Sequence, residues 1–217
     1  MRALAAMIGT LGAAQLAWGT DLDAAVLDNT GAPVSHVVVY ALPDRPASGG
    51  GHKRSKTTAI MGQRDTAFDP HILVVETGTL IEFPNGDRVS HHVYSFSPAK
   101  NFQLPLYKGN VYEPLAFDEP GIVTLGCNIH DDMLAYIVVL DTPYFALTDE
   151  HGMARIDAIP PGSYTVQSWT ARMPAARLPP AQPIEIDTRP ARLAIKFTSK
   201  LFPAHADEGT SLTWRDY

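Results

Sequence analysis

Short runs of β-branched and aromatic residues, broken at regular intervals by Gly, Pro, Asn and Asp, constrain this chain more than any other feature. HVVVYAL (36–42), HILVVE (71–76), TLIEF (79–83), HHVYSF (91–96), GIVTLG (121–126) and LAYIVVL (134–140) are each of strand length. DNTG (28–31), ETG (76–78), PNGD (84–87) and EPG (119–121) bound them with turn-forming residues. Beyond residue 143 the rhythm continues through YFAL, MARIDA, SYTVQSW, PIEID and ARLAIKF, interrupted by DEHG (149–152) and IPPG (159–162). No segment carries the 3.6-residue apolar period of an ordinary amphipathic helix. Such a chain buries its apolar faces as β-sandwiches or barrels, and an all-β fold is expected.

Three segments fall outside the rhythm. MRALAAMIGTLGAAQLAWGT opens with Arg2 and an uncharged run of Ala, Leu, Ile, Met and Gly, and Ala17 and Gly19 form an A-x-G site before Thr20. Residues 1–19 are therefore expected to be a secretory signal peptide, with no stable membrane insertion once it is removed. DRPASGGGHKRSK (44–56) is Gly-rich, basic and aperiodic and reads as a linker, with Lys53, Arg54 and Lys56 solvated. PAKNFQLPLYKGN (98–110) reads as a long loop. With 17 Lys and Arg against 23 Asp and Glu, the net charge of −6 argues against a nucleic-acid partner.

An exported chain with a single cysteine has no intramolecular disulfide. Cys127 is then a small buried residue, a reactive thiol or a metal ligand. Its setting, LGCNIHDDMLAY (125–136), places His130 three residues on and Met133 three beyond that. A site that exchanges one electron through copper needs two imidazoles, a thiolate and a weak thioether. The loop offers three of these, and the second imidazole should come from an earlier strand, where His91 and His92 stand together. Adjacent strand side chains face opposite ways, so only one of the two can point into the site. His36, His52, His71, His151 and His205 have no ligand-like company in the sequence and read as structural or solvated.

Several chemistries are closed by residue counts. A binuclear copper centre needs a second cysteine, and covalent haem needs C-x-x-C-H, which is absent. Zinc is poorly served by a thioether, and a Cys–His hydrolase would need a base oriented by a third polar group. The chain is not expected to be an enzyme.

FDPHILVVETGTLIEFPNGDRVSHHVYSF followed by EPLAFDEPGIVTLGCNIHDDM resembles the cupredoxins, the blue copper family of plastocyanin, pseudoazurin and amicyanin. The resemblance spans residues 57–140, and the C-x2-H-x2-M spacing is its short form. It implies a Greek-key β-sandwich holding one copper ion through His91, Cys127, His130 and Met133. It also places Asn85 where the family has an asparagine that ties the two ligand-bearing loops by hydrogen bonds. Periplasmic transfer of single electrons, with a c-type cytochrome or a dehydrogenase as partner, is what it implies for function. A copper-delivery protein without a redox role and a metal-free structural module are the alternatives.

The flanking segments resemble a second, smaller module. DAAVLDNTGAPVSHVVVYAL (23–42) reads as a strand, an N-T-G turn and a second strand, a hairpin. YFALTDEHGMARIDAIPPGSYTVQSW (144–169) has the turns of a transthyretin-like or carboxypeptidase-regulatory-like β-sandwich. The expected organisation is the first strands of that sandwich at 20–43, a linker at 44–56, the cupredoxin domain at 57–140, the rest of the small sandwich at 141–198 and a tail at 199–217. Over its whole length the chain is similar to bacterial proteins labelled methylamine utilization proteins, with departures at Asp132 and Thr170. Methylamine metabolism is not inferred from that label.

Overall fold

The computed structural model describes residues 19–45 and 57–204. Nearly all of the expected signal peptide lies outside these residues. So do most of the 44–56 segment, with His52, Lys53, Arg54 and Lys56, and the tail beyond residue 204, with His205. Seventeen strands and one 3-10 turn, Ala175–Arg177, make up the described secondary structure, so the protein is all-β. Among the described residues no helix is long and apolar enough to cross a membrane.

The two ends of the chain build one pair of facing sheets. Strands β1 (Thr20–Leu27), β14 (Met153–Ile159) and β17 (Ala191–Lys196) form the first, in the order β14-β1-β17. The second contains β2 (Val38–Pro43), β13 (Phe145–Leu147), β15 (Gly162–Trp169) and β16 (Gln182–Ile186), in the order β13-β2-β15-β16. Alternating residues of both sheets meet in one core: Leu22, Ala24 and Val26 from β1, Val39 and Ala41 from β2, Ile156 from β14 and Val166 from β15.

The middle of the chain builds the larger unit. Its main sheet runs β6-β12-β11-β8-β9, from β6 (Ile72–Glu76), β8 (His91–Ser97), β9 (Lys100–Tyr107), β11 (Gly121–Cys127) and β12 (Leu134–Leu140). Facing strands are β3 (Thr58–Ile60), β7 (Thr79–Glu82) and β10 (Leu115–Phe117), in the order β10-β7-β3, and β4 (Gly62–Arg64) pairs with β5 (Ala67–Asp69). Phe83, Phe117, Val93, Val123, Leu125 and Ile137 lie in its core, where Cys127 and Met133 are also buried.

Strand β12 shows why LAYIVVL reads as an unbroken apolar run. Ala135, Ile137 and Val139 enter the core of the larger unit, while Val138 and Leu140 pack with Ile72, Val38 and Trp169 against the smaller one. A strand covered on both faces loses the polar alternation of a half-exposed one. Each of the larger side chains so covered contributes about 1.5–3 kcal/mol through removal from water. Trp169 also meets Tyr136 edge-on, with ring centroids 5.3 Å apart.

Two expectations are corrected. The segment 98–110 is not a long loop: a two-residue turn leads from Ser97 into β9, which pairs with β8 from Lys100 to Tyr107. Strand β9 is the edge of its sheet, where Pro105 costs no ladder bond between two partners. Nor do β1 and β2 form a hairpin. They lie in opposite sheets, and Leu27 with Pro33 is the isolated bridge near their connection. Each carries an apolar face that needs a layer opposite it, so the connection crosses the sandwich. The free side of β1 pairs in parallel with β17.

Candidate metal centre

The main sheet brings two distant strand ends together. Cys127, the last residue of β11, is in register with Val93 of β8, and a register shift between His91 and Val93 accompanies the start of β8. The His91 side chain is fully buried, whereas His92 is only partly buried and lies edge-on to Tyr94, with ring centroids 6.5 Å apart. Beyond Cys127 the chain turns tightly. The Asn128 amide donates to the His92 carbonyl at 3.0 Å, and the Met133 amide donates to the His130 carbonyl at 3.1 Å. This turn folds His130 back over the cysteine.

The result is a triangle of donor atoms. His91 Nδ1 lies 3.8 Å from Cys127 Sγ, His130 Nδ1 lies 3.9 Å from the same sulfur, and the two nitrogens are 3.2 Å apart. Among the described residues this is the group of His, Cys, Asp and Glu side chains with ligand atoms close enough to share an ion. A point equidistant from the three atoms lies about 2.1 Å from each, within the range of metal–nitrogen and metal–sulfur bonds of about 2.0–2.3 Å. The donor set therefore fits a transition-metal ion, and a thiolate with two imidazoles suits copper. Met133 is buried in the same core as Cys127 and held to His130 through the backbone.

Asp87 was read from the sequence only as part of the PNGD turn, and it belongs to this centre. His91 Nε2 donates to Asp87 Oδ2 at 2.7 Å. The carboxylate also accepts the amides of Asp65 at 2.6 Å and Thr66 at 3.0 Å. Burial pushes the Asp87 carboxyl up, but the bonds from His91, Thr66 and Asp65 outweigh it and hold it below the ordinary value of 3.8. With the proton of a neutral imidazole on Nε2, the Nδ1 lone pair of His91 faces the sulfur. The signal that could have found it is an acidic residue four positions before the buried histidine.

Asn85 is buried, but its bonds differ from those expected. Its Nδ2 donates to the carbonyls of Val89 and Tyr107, at 3.0 and 2.8 Å, and its Oδ1 accepts the Asp87 amide at 2.9 Å. It thus ties the loop before His91 to the end of β9 and orients Asp87, instead of bonding to the Cys127–Met133 loop. Its own backbone pairs with Gly109, just past the end of β9. Asp131 and Asp132 are exposed and accept no bond from the ligand set.

Behind Cys127 the backbone is crowded by an aromatic ring. Gly126 is in register with Tyr94, and a Cβ at Gly126 would lie 2.8 Å from Tyr94 Cζ and Oη. Tyr94 in turn stacks at a tilt on Phe96, 5.1 Å between centroids, and Phe96 is exposed. The residue before Cys127 must therefore lack a side chain for this ring to lie across the strand.

Comparison with solved structures finds likenesses over part of the chain. A copper-containing nitrite reductase from Thermus scotoductus is 21% identical, with a TM-score of 0.37, over 46% of this chain and 27% of that one. The reduced Cu(I) form of a mutant of amicyanin is 17% identical, with a TM-score of 0.36, over 46% of this chain and 99% of that one. A purple cupredoxin from Nitrosopumilus maritimus is 20% identical, with a TM-score of 0.33, over 39% of this chain and its whole length. No family model and no curated relative matches.

Proposed function

We propose that this protein is a periplasmic mononuclear copper protein of the cupredoxin type that carries single electrons between redox partners and is not itself an enzyme. The observation that carries this is the triangle of Cys127 Sγ, His91 Nδ1 and His130 Nδ1. Copper bound there supplies one-electron exchange between Cu(I) and Cu(II). His91, Cys127 and His130 would hold it, Met133 would add a weaker thioether, and Asp87 with Asn85 holds His91 in place.

The chain's own part is rigidity and access. Cys127 is fixed by pairing of β11 with β8, and His91 by Asp87, so the donor atoms keep their places whichever charge the site carries. His130 is only half-buried, and Ile129 and Val89 are exposed apolar residues near the ends of the two ligand-bearing segments. A redox protein, such as a c-type cytochrome or a dehydrogenase, docks on that surface. Strand order supports residues 57–140 as a unit inserted into a small sandwich made by the flanking segments, since insertion is easy where two chain ends emerge together.

Addition of Cu(II) to reduced, metal-free protein, followed by visible absorption and electron paramagnetic resonance, tests the proposal. An intense thiolate-to-copper band with a small copper hyperfine splitting is expected, and Cys127→Ser removes both. No such band in the unaltered protein, or its survival in Cys127→Ser, overturns it.

A further inference from the structure

An open cavity of about 930 Å³ lies where the small sandwich meets the start of the main sheet. Leu134, Tyr136, His36, His71, His151 and Arg172 are among the residues that line it. These side chains come from five separate stretches of sequence, which is why nothing short of the fold associates them. The three imidazoles are not part of a cluster with ligand atoms close enough to share an ion among the described residues, so an organic occupant fits the cavity better than a second metal.

Arg172 gives that occupant its charge. Its Nε donates to the Phe202 carbonyl at 2.8 Å, and the Phe202 amide donates to the Arg172 carbonyl at 2.8 Å. The guanidinium is thus held at its inner edge, while among the described residues its Nη groups meet no carboxylate within ion-pair distance. It is half-buried, and burial lowers its pKa, with the Asp28 charge opposing. A half-buried guanidinium with no carboxylate in direct contact is incompletely compensated, and a ligand carboxylate can meet it with two parallel hydrogen bonds. The acids of the rim do not serve this purpose. Glu150 is exposed, and Asp149 is exposed too and turns Oδ1 onto the amides of His151 and Met153, at 2.9 and 2.8 Å.

Two of the lining rings give the occupant its shape. Tyr136 and His71 meet edge-on with ring centroids 5.6 Å apart, and the Phe202 ring is among the exposed apolar groups beside them. The lining mixes apolar groups such as Ile72, Leu134 and Phe202 with polar ones, and a concave cavity of this size between two packed units is a common place for a small molecule.

We propose that this cavity binds a small aromatic carboxylate, its carboxylate on the Nη groups of Arg172 and its ring against Tyr136 and His71. None of these residues is a proposed copper ligand, so the site stands whether or not copper binds. Leu134 nevertheless follows Met133 directly, so an occupant touches the strand that fixes the thioether.

The test uses the full unaltered chain, metal-free and with a chelator present so that copper plays no part, with benzoate as the probe and backbone amide chemical shifts as the readout. Benzoate should give saturable shifts centred on Leu134, Tyr136 and Arg172, in the millimolar range or below, as fits so small a ligand. Benzamide, its neutral isostere, should bind about tenfold more weakly or worse. Arg172→Gln should weaken benzoate by a similar factor and leave benzamide unchanged, and Arg172→Lys should recover only part. Absence of saturation with benzoate, equal binding of benzamide, or shifts centred elsewhere overturns the proposal. The benzoate–benzamide contrast is read in a chain with Arg172 intact, so it decides even if the Arg172 variants do not fold.

Discussion

Asp87 Oδ2 accepts the Nε2 proton of His91 at 2.7 Å, and this one bond selects the ring nitrogen that faces Cys127. Removing the carboxylate frees the imidazole to change tautomer and to rotate. Asp87→Ala should therefore weaken copper binding by about 10–100-fold, the usual effect of losing a partner of a ligating histidine. Competition against a chromophoric chelator measures it. Asp87→Asn, which keeps an acceptor oxygen, should restore part of the affinity; unchanged affinity in Asp87→Ala would show that Asp87 has no hold on the site.

The two adjacent histidines should behave oppositely. His91 is fully buried and its Nδ1 faces the sulfur, whereas His92 turns toward Tyr94. His91→Ala should abolish the thiolate-to-copper band, and His92→Ala should leave it in place. The reverse pattern in the visible spectrum would reassign the ligand.

Met133 is expected to tune the centre more than to build it. Met133→Leu keeps the volume of a buried side chain and should cost less than about 1.5 kcal/mol of stability. The copper band should persist while the reduction potential moves, because a thioether would bind such an ion weakly and act on its potential. Voltammetry that shows no change in potential would remove Met133 from the ligand set.

Gly126 and Tyr94 make a pair that a double-mutant cycle can read. A methyl group at Gly126 would meet the Tyr94 ring at 2.8 Å, so Gly126→Ala should destabilise by about 1–3 kcal/mol in urea unfolding. Adding Tyr94→Ala should relieve most of that penalty. If the two losses simply add, the ring does not lie across the strand.

Alkali should weaken the fold through two buried tyrosines. Burial is the main cause that pushes Tyr107 up to about 12, with a bond from Gln63 opposing it and the Tyr112 and Cys127 charges adding to it. Burial, with the Tyr144 charge, likewise pushes Tyr164 up to about 12. Both ionise near 10 when unfolded, so their contribution is complete below pH 10 and is lost as pH rises from 10 through 12. Stability measured by urea unfolding should be level just below this window and fall within it. Tyr107→Phe should make the fall shallower, and an equal slope in the variant would contradict the assignment.

The strand segments and three of the donors were legible in the sequence because both are local properties. Alternating or unbroken apolar runs between turn residues announce strands, and LGCNIHDDM places a thiol, an imidazole and a thioether within reach of one turn. Strand β9 was missed because Pro105 and a polar, irregular pattern imitate a loop, and an edge strand tolerates both. The hairpin expected of β1 and β2 failed because adjacency in sequence does not say which sheet a strand joins.

By itself, then, the sequence determined an all-β chain and the chemical identity of a Cys127–His130–Met133 loop, since both depend on residues a few positions apart. Only the tertiary structure set the burial and donor-atom geometry of His91, enlisted Asp87, redirected the bonds of Asn85 and gathered His36, His71, His151 and Arg172 around one cavity. Each of those outcomes depends on the pairing of β8 with β11 or on how the two sandwiches meet. Pairing and packing of this kind are settled by burying apolar faces across tens of residues, and a one-residue change of register would turn every side chain to the other side.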